Sequence, residues 1–160
     1  SAPPQSSLER HFRQLGERYQ DHPGLLLELT YDEPLAHQIY AAADFLLVPS
    51  HFEPCGLTQL IAMRYGTIPI VRATGGLKDT VIDCEDHTKA NAERNGFTFV
   101  DPKELIPTLE RAFKLQRREG ATFQTLIRHA MAADHSWVKP AQQYRKLYRF
   151  LLERQGSYAV

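Results

Sequence analysis

Glu53-Pro54-Cys55-Gly56-Leu57-Thr58 sets a carboxylate, a thiol, a glycine and a hydroxyl side by side, between the apolar run Phe45-Leu46-Leu47-Val48-Pro49-Ser50 and a stretch of helical character. Where a strand hands over to a helix, the first backbone N–H groups of the helix lack an internal acceptor. The helix dipole adds positive potential there, so the spot suits an anion such as a phosphate. Glu53 cannot meet that phosphate without like-charge repulsion. Its carboxylate is better suited to accept hydrogen bonds from the hydroxyls of an attached sugar. The segment therefore predicts half of a nucleotide-sugar site.

Thr74-Gly75-Gly76-Leu77 also follows a predicted strand and opens a predicted helix. Ligands of doubly wound sheets sit outside the carboxyl ends of the strands, where two glycine-bearing turns can hold a diphosphate with backbone N–H groups. Taken alone, the glycine pair is equally well explained by the geometry of its turn. Tyr31 ends a predicted strand on the same edge and offers a ring to stack on a purine, although packing is the commoner use of such a residue. Cys55 lies where a helix dipole favours a thiolate, but no histidine partner is assignable from the sequence, so its backbone is the part expected to matter. His51-Phe52-Glu53 with Pro54-Cys55 echoes fragments of the zinc deaminase signature. Thr58 stands where that signature needs its second cysteine, and the remaining histidines have no paired metal spacing. No metal site and no cofactor are expected.

These residues need a scaffold that places turns at one end of a sheet. Ser6 and Glu9 form a capping box ahead of the stripe Leu8, Phe12, Leu15 and Tyr19, which predicts a first helix. Leu25–Tyr31 reads as a strand, and Asp32-Glu33-Pro34 as the start of the next helix. The alternation continues with a strand from Phe45 to Pro49, a helix from Leu57 to Tyr65, a strand from Ile68 to Arg72, a helix after Gly75-Gly76 and a fourth strand from Gly96 to Val100. Short, mostly apolar strands separated by helices predict an α/β, doubly wound parallel sheet covered on both faces. Beyond Val100 the chain reads as helical throughout. One stripe comprises Leu105, Ile106, Leu109, Ala112 and Phe113, and another Tyr144, Leu147, Tyr148, Leu151 and Leu152, each expected to have an inner face. The polar stretch Cys84–Asn95 reads as an exposed loop whose charges serve solvation.

With 160 residues, 42% hydrophobic and 24% charged, the chain predicts one globular domain with material for a core. Nineteen basic and nineteen acidic side chains cancel, which argues against a general attraction to nucleic acid or to an anionic membrane. No apolar run is long enough to span a bilayer. Cys55 and Cys84 cannot make a disulfide framework, so a reducing compartment fits. Ser1–Gln5 reads as a cut end or linker, and as neither a secretory signal nor a transit peptide.

Three segments, Tyr31–His37, Ala43–Leu60 and Tyr65–Val81, resemble bacterial glycogen synthase and plant starch synthase. Gly96-Phe97, Ser136-Trp137, Tyr144 and Leu147-Tyr148 extend the likeness from Ser7 to Phe150. The resemblance implies the C-terminal half of a two-domain GT-B glycosyltransferase, Rossmann-like, that moves glucose from ADP-glucose to the non-reducing end of an α-1,4-glucan with retention, without a metal. By that resemblance Tyr31 stacks on adenine, and Glu53, the catalytic candidate, binds sugar hydroxyls and orients the ring for attack. The Cys55-Gly56-Leu57 backbone approaches glucose and phosphates and Thr58 contacts the diphosphate, while Gly75 and Gly76, from the turn argument above, complete the expected substrate-binding set. The implied ligands are ADP-glucose or ADP, with a glucan acceptor. The implied location is the cytoplasm of a bacterium or the plastid of a plant.

Two departures bound that expectation. The wider glycosyltransferase pattern carries a second glutamate where Ile61 stands, a residue this branch commonly lacks. Residues 1–160 also lack the family's N-terminal domain, with its Lys-x-Gly-Gly-Leu motif and catalytic histidine, and the opening strands of the C-terminal domain. The expectation is thus a partial nucleotide-sugar-binding domain, a fragment inactive by itself. The alternatives are a stand-alone nucleotide-sugar-binding or partner-binding module, or an unrelated doubly wound interaction domain.

Overall fold

The computed structural model describes residues 7–156, and the chain divides into two compact units, Ser1–Leu35 and Ala36–Val160. The second unit holds a parallel sheet of three strands, β1 (Phe45–Val48), β2 (Ile68–Arg72) and β3 (Phe97–Phe99), in the order β1-β2-β3. Phe45 stands opposite Ile68 in the first ladder and Ile70 opposite Phe97 in the second. Counting from the N-terminus, α1 is Ser7–Arg18, α2 Glu33–Ala42, α3 Thr58–Tyr65, α4 Gly75–Thr80, α5 Leu105–Arg118, α6 Gly120–Ala132 and α7 Val138–Gly156.

The central strand is buried on both faces, as its almost unbroken apolar sequence requires. Ile68 and Ile70 pack on one side with Met63 of α3, Ala112 of α5 and Phe123, Leu126 and Ala130 of α6. Val71 packs on the other with Leu77 of α4, Val81 and Val48. Helices on both faces make the sheet doubly wound, as expected. Pro69 fits a central strand because N–H groups of successive strand residues point to opposite sides. Ile68 donates to the Asp44 carbonyl on the β1 side. The Pro69 nitrogen therefore faces the β3 side, where pairing begins only at Ile70.

In the first unit, Asp32 accepts the N–H of Leu35 at 2.9 Å and caps α2, with Pro34 in its first turn. Gly16 lets Leu27 lie against α1, since a Cβ there would stand 2.9 Å from Leu27 Cδ2. The Ser6 half of the expected capping box lies outside the described residues, as does Ser1–Gln5. The expected strand Leu25–Tyr31 does not form: the segment is irregular, and Leu25, Leu26, Leu29 and Tyr31 are exposed. A strand exists only through its ladder, and the ladders of the described residues join β1, β2 and β3 alone.

Two further expectations change. The stretch Cys84–Asn95 is a loop with a short 3-10 turn at Asn91–Glu93, but its surroundings are more than solvated charge. Asp83 and Arg111 form a bidentate pair at 2.8 and 2.7 Å, and Glu85 joins it at 2.6 Å. Asn95 is buried, accepting the N–H of Ile82 and donating to the Thr80 carbonyl. The apolar stripe of α7 has no inner face here. Tyr144, Leu147, Tyr148, Leu151 and Leu152 are exposed, and residues 138–154 include no buried side chain. Helical periodicity sets which side chains share a face, whereas burial needs a second surface.

Candidate functional site

The residues from Glu53 to Thr58 run from the carboxyl end of β1 into the first turn of α3. Thr58, Gln59 and Leu60 open α3, and their N–H groups have no acceptor within the helix. Leu57, the residue before, provides no side-chain cap. The positive end of the helix is thus left open for an external acceptor, with Leu57 and Thr58 both exposed beside it.

Glu53 is half-buried and already held in place. Its Oε1 accepts the N–H of Gly56 at 3.1 Å and its Oε2 lies 3.4 Å from Ser50 Oγ. A carboxylate has about four lone-pair positions, so these two bonds fix its direction and leave acceptor capacity for hydroxyls of a ligand. Gly56 adopts φ +70° and is buried, a left-handed conformation that a side chain disfavours. The Cys55 thiol is exposed.

Gly75 and Gly76 serve close approach. A Cβ on Gly75, at φ +44°, would stand 1.9 Å from the Glu53 carbonyl oxygen, and one on Gly76 would stand 1.8 Å from that of Cys55. Gly76 also donates its N–H to the Glu53 carbonyl at 3.0 Å. The N–H of Gly76 is therefore engaged within the protein, and the second turn acts as the floor on which the Glu53–Gly56 segment rests.

Seven of the eight candidate residues, Glu53, Cys55, Gly56, Leu57, Thr58, Gly75 and Gly76, thus come together at the carboxyl ends of β1 and β2. Tyr31 belongs to the first unit, where the residue is 91% exposed just before the Asp32 cap.

Three polar groups beside these turns escaped the sequence reading. Gln59 is fully buried and donates from Nε2 to the Gly56 carbonyl and to Thr80 Oγ1, each at 2.9 Å. Thr80 Oγ1 in turn donates to the Gly76 carbonyl at 2.6 Å. Arg72, at the end of β2, donates to His51 Nδ1 at 2.7 Å and to the Val100 carbonyl at 3.2 Å. An arginine has no acceptor, so His51 Nδ1 is unprotonated in this contact. A signal existed for Gln59, which falls three residues after Gly56 on the face of α3 that also carries Ala62 and Met63 inward. None existed for the Thr80 contact with Gln59 or for Arg72, whose partners are distant in sequence.

Away from these turns, burial pushes the Cys84 thiol up to about 12, with the nearby Asp83 carboxylate acting in the same direction. Burial alone would raise Asp83, but the Arg111 guanidinium and the N–H groups of Glu85 and Thr98 outweigh it and hold the carboxyl below its ordinary value. Among the described residues no group of three His, Cys, Asp or Glu side chains is placed to hold a metal ion. No helix among them is long and apolar enough to cross a membrane.

Comparison with known proteins supplies the family. A family profile described as glycosyl transferases group 1 matches residues 18–120. Glycogen synthase 2 of Methylococcus capsulatus is 44% identical over 153 residues, which cover 94% of this chain and 31% of that protein. Probable starch synthase 4 of Arabidopsis thaliana is 45% identical over 147 residues, covering 91% of this chain and 14% of that one. Among solved structures, the catalytic domain of starch synthase IV from Arabidopsis thaliana, bound to ADP and acarbose, superposes with a TM-score of 0.85 at 44% identity. That match covers 91% of this chain and 30% of the other. The present chain therefore spans under a third of the length of these relatives. With the profile matching well over half of its length, the chain belongs to the group 1 glycosyl transferases.

Proposed function

We propose that this chain is the donor-binding part of a glycogen or starch synthase, a retaining enzyme that transfers glucose from ADP-glucose to the non-reducing end of an α-1,4-glucan. The observation that carries the reading is the placement of a partly satisfied Glu53 carboxylate next to the uncapped N-terminus of α3. One end of that site favours the anionic diphosphate and the other accepts hydroxyls, which is the polarity of a nucleotide sugar. A relative described as bound to ADP and acarbose supports a nucleotide and a glucan as the ligands.

In this reading Glu53 holds the glucose hydroxyls and orients the ring, while N–H groups at the start of α3 stabilise charge on the leaving diphosphate. The Cys55-Gly56-Leu57 backbone lies along the sugar and phosphates, Thr58 contacts the diphosphate, Gly75 and Gly76 support the turn, and Tyr31 stacks on adenine. Residues 1–160 form a partial C-terminal domain, so transfer requires a further half carrying the acceptor side. Relatives in bacteria and in Arabidopsis, the latter described as chloroplastic/amyloplastic, support a bacterial cytoplasm or a plant plastid as the location.

Titration of the chain with ADP-glucose and UDP-glucose, followed by amide chemical shifts up to millimolar ligand, tests the reading. ADP-glucose is expected to shift the Gly56, Leu57 and Thr58 amides at lower concentration than UDP-glucose. Shifts confined to other regions would overturn the site.

A further inference from the structure

We propose that the side chains of Gln59 and Thr80 act as positioning groups that clamp the Glu53–Gly56 segment to the Gly75–Gly76 turn, setting the backbone geometry of the donor site without themselves touching the donor. The inference rests on the donor-binding reading above. It starts from a side chain that stability alone does not explain. Gln59 is fully buried, yet its Oε1 has no hydrogen-bond partner. A buried acceptor without a partner is costly, so what the amide contributes must lie in the two bonds that its Nε2 makes.

The amide supplies a crosslink between two turns that are far apart in sequence. One Nε2 hydrogen goes to the Gly56 carbonyl and the other to Thr80 Oγ1, both at 2.9 Å. The Thr80 hydroxyl passes its own hydrogen to the Gly76 carbonyl at 2.6 Å. The chain Gly56, Gln59, Thr80, Gly76 thus satisfies one carbonyl in each glycine turn. Reversing the amide would set Oε1 against the Gly56 carbonyl oxygen, so the orientation is chemically determined. Thr80 is itself anchored, since its carbonyl accepts from the buried Asn95 amide at 3.0 Å.

A side chain at Gly56, already strained at φ +70°, would also displace the clamp. A Cβ there would stand 2.6 Å from Gln59 Oε1 and 2.7 Å from Nε2. The Gln59 amide lies directly beneath the Gly56 backbone, whose N–H is the one that aims Glu53. Loosening the amide therefore frees Gly56, and Gly56 in turn frees the carboxylate. Holding reacting groups within a fraction of an ångström is what a supporting side chain of this kind supplies.

The experiment compares Gln59→Met, Thr80→Val, Thr80→Ser and the double variant Gln59→Met/Thr80→Val in this chain. Three quantities are read: thermal melting, hydrogen exchange of the Gly56 and Gly76 amides, and affinity for ADP-glucose and ADP by amide chemical shifts. Gln59→Met and Thr80→Val are each expected to speed exchange at Gly56 and Gly76 about tenfold and weaken ADP-glucose about tenfold, with ADP weakened less. The double variant should be no worse than either single one, because both break the same bridge, and Thr80→Ser should restore native behaviour. Gln59→Met should melt within a few degrees of the native chain. Unchanged exchange, additive effects, or faster exchange with native ADP-glucose affinity would each overturn the clamp. A native chain that binds neither nucleotide at millimolar concentration overturns the donor-site reading instead, while exchange still reports whether the bridge exists.

Discussion

The backbone N–H of Gly76 donates to the carbonyl oxygen of Glu53 at 3.0 Å, so the two glycine-bearing turns meet through the main chain. Glu53 consequently has two roles. Its carbonyl docks one turn on the other, and its carboxylate faces the Gly56 N–H. Gly76 permits this because any side chain would occupy the space of the Cys55 carbonyl.

Gly76→Ala should be severely destabilising. Its Cβ would meet backbone, which cannot rotate away, so the Glu53–Cys55 segment must move, at about 3 kcal/mol. Gly120, whose surroundings are open, provides the control. Gly120→Ala should leave stability unchanged or raise it by about 0.5 kcal/mol. Thermal or urea melting of both variants checks the contrast, and equal melting points would contradict the close-approach argument.

Glu53→Gln separates sugar recognition from nucleotide recognition. The amide keeps one oxygen for the Gly56 N–H but loses the charge and half of the acceptor capacity directed at hydroxyls. ADP-glucose affinity should fall about tenfold, on the order of 1.4 kcal/mol, while ADP binds as before. Calorimetry with both ligands reads the difference, and an equal loss for ADP would assign Glu53 to the nucleotide.

Tyr31 is too exposed to matter for folding. Tyr31→Ala should leave melting unchanged and weaken ADP about fivefold, near the value of about 1 kcal/mol for an aromatic stack, whereas Tyr31→Phe should bind normally. Native ADP affinity in the alanine variant would remove Tyr31 from the site.

The Asp83–Arg111 pair makes stability depend on acid. Asp83 is held below its ordinary value in the folded chain. Its stabilising contribution is therefore full above the ordinary carboxylate range and is lost as pH falls through that range toward the lowered folded-state value. Asp83→Asn should cost about 2 kcal/mol near neutrality, and its deficit relative to the native chain should shrink in acid. Melting curves from neutral pH downward test this, and a deficit independent of pH would show that the charge is not the cause.

The two thiols should react very differently. Cys55 is exposed, whereas Cys84 is pushed up to about 12 and so contributes almost no thiolate near pH 8. A maleimide reagent should modify one thiol per folded chain and two after unfolding. Cys55→Ser should abolish the fast reaction, and rapid labelling of that variant would contradict the burial of Cys84.

Much of the placement of the candidate site was legible in the sequence. A strand of β-branched and apolar residues followed by glycine and a helical stripe specifies a handover turn, and this placed Glu53, Gly56 and Gly75-Gly76 at strand ends. The strand expected at Leu25–Tyr31 failed because an apolar run states a preference while a ladder requires a partner edge. The α7 stripe failed in the same way, since periodicity names a face and says nothing of what covers it. Gln59 owes its role to Thr80, 21 residues further along the chain, which only folding brings beside it.

By itself the sequence determined the local order: which segments turn, which face of each helix is apolar, and which residues follow each strand. These properties are short-range, set by backbone sterics and by periodicity within one element. Only the tertiary structure decided that Gly76 lies against Cys55, that Thr80 completes the Gln59 bridge to Gly76, and that Asp83 meets Arg111 across 28 positions. Those pairings depend on how parallel strands bring distant turns to one end of the sheet, where close packing and unsatisfied backbone groups select the partners.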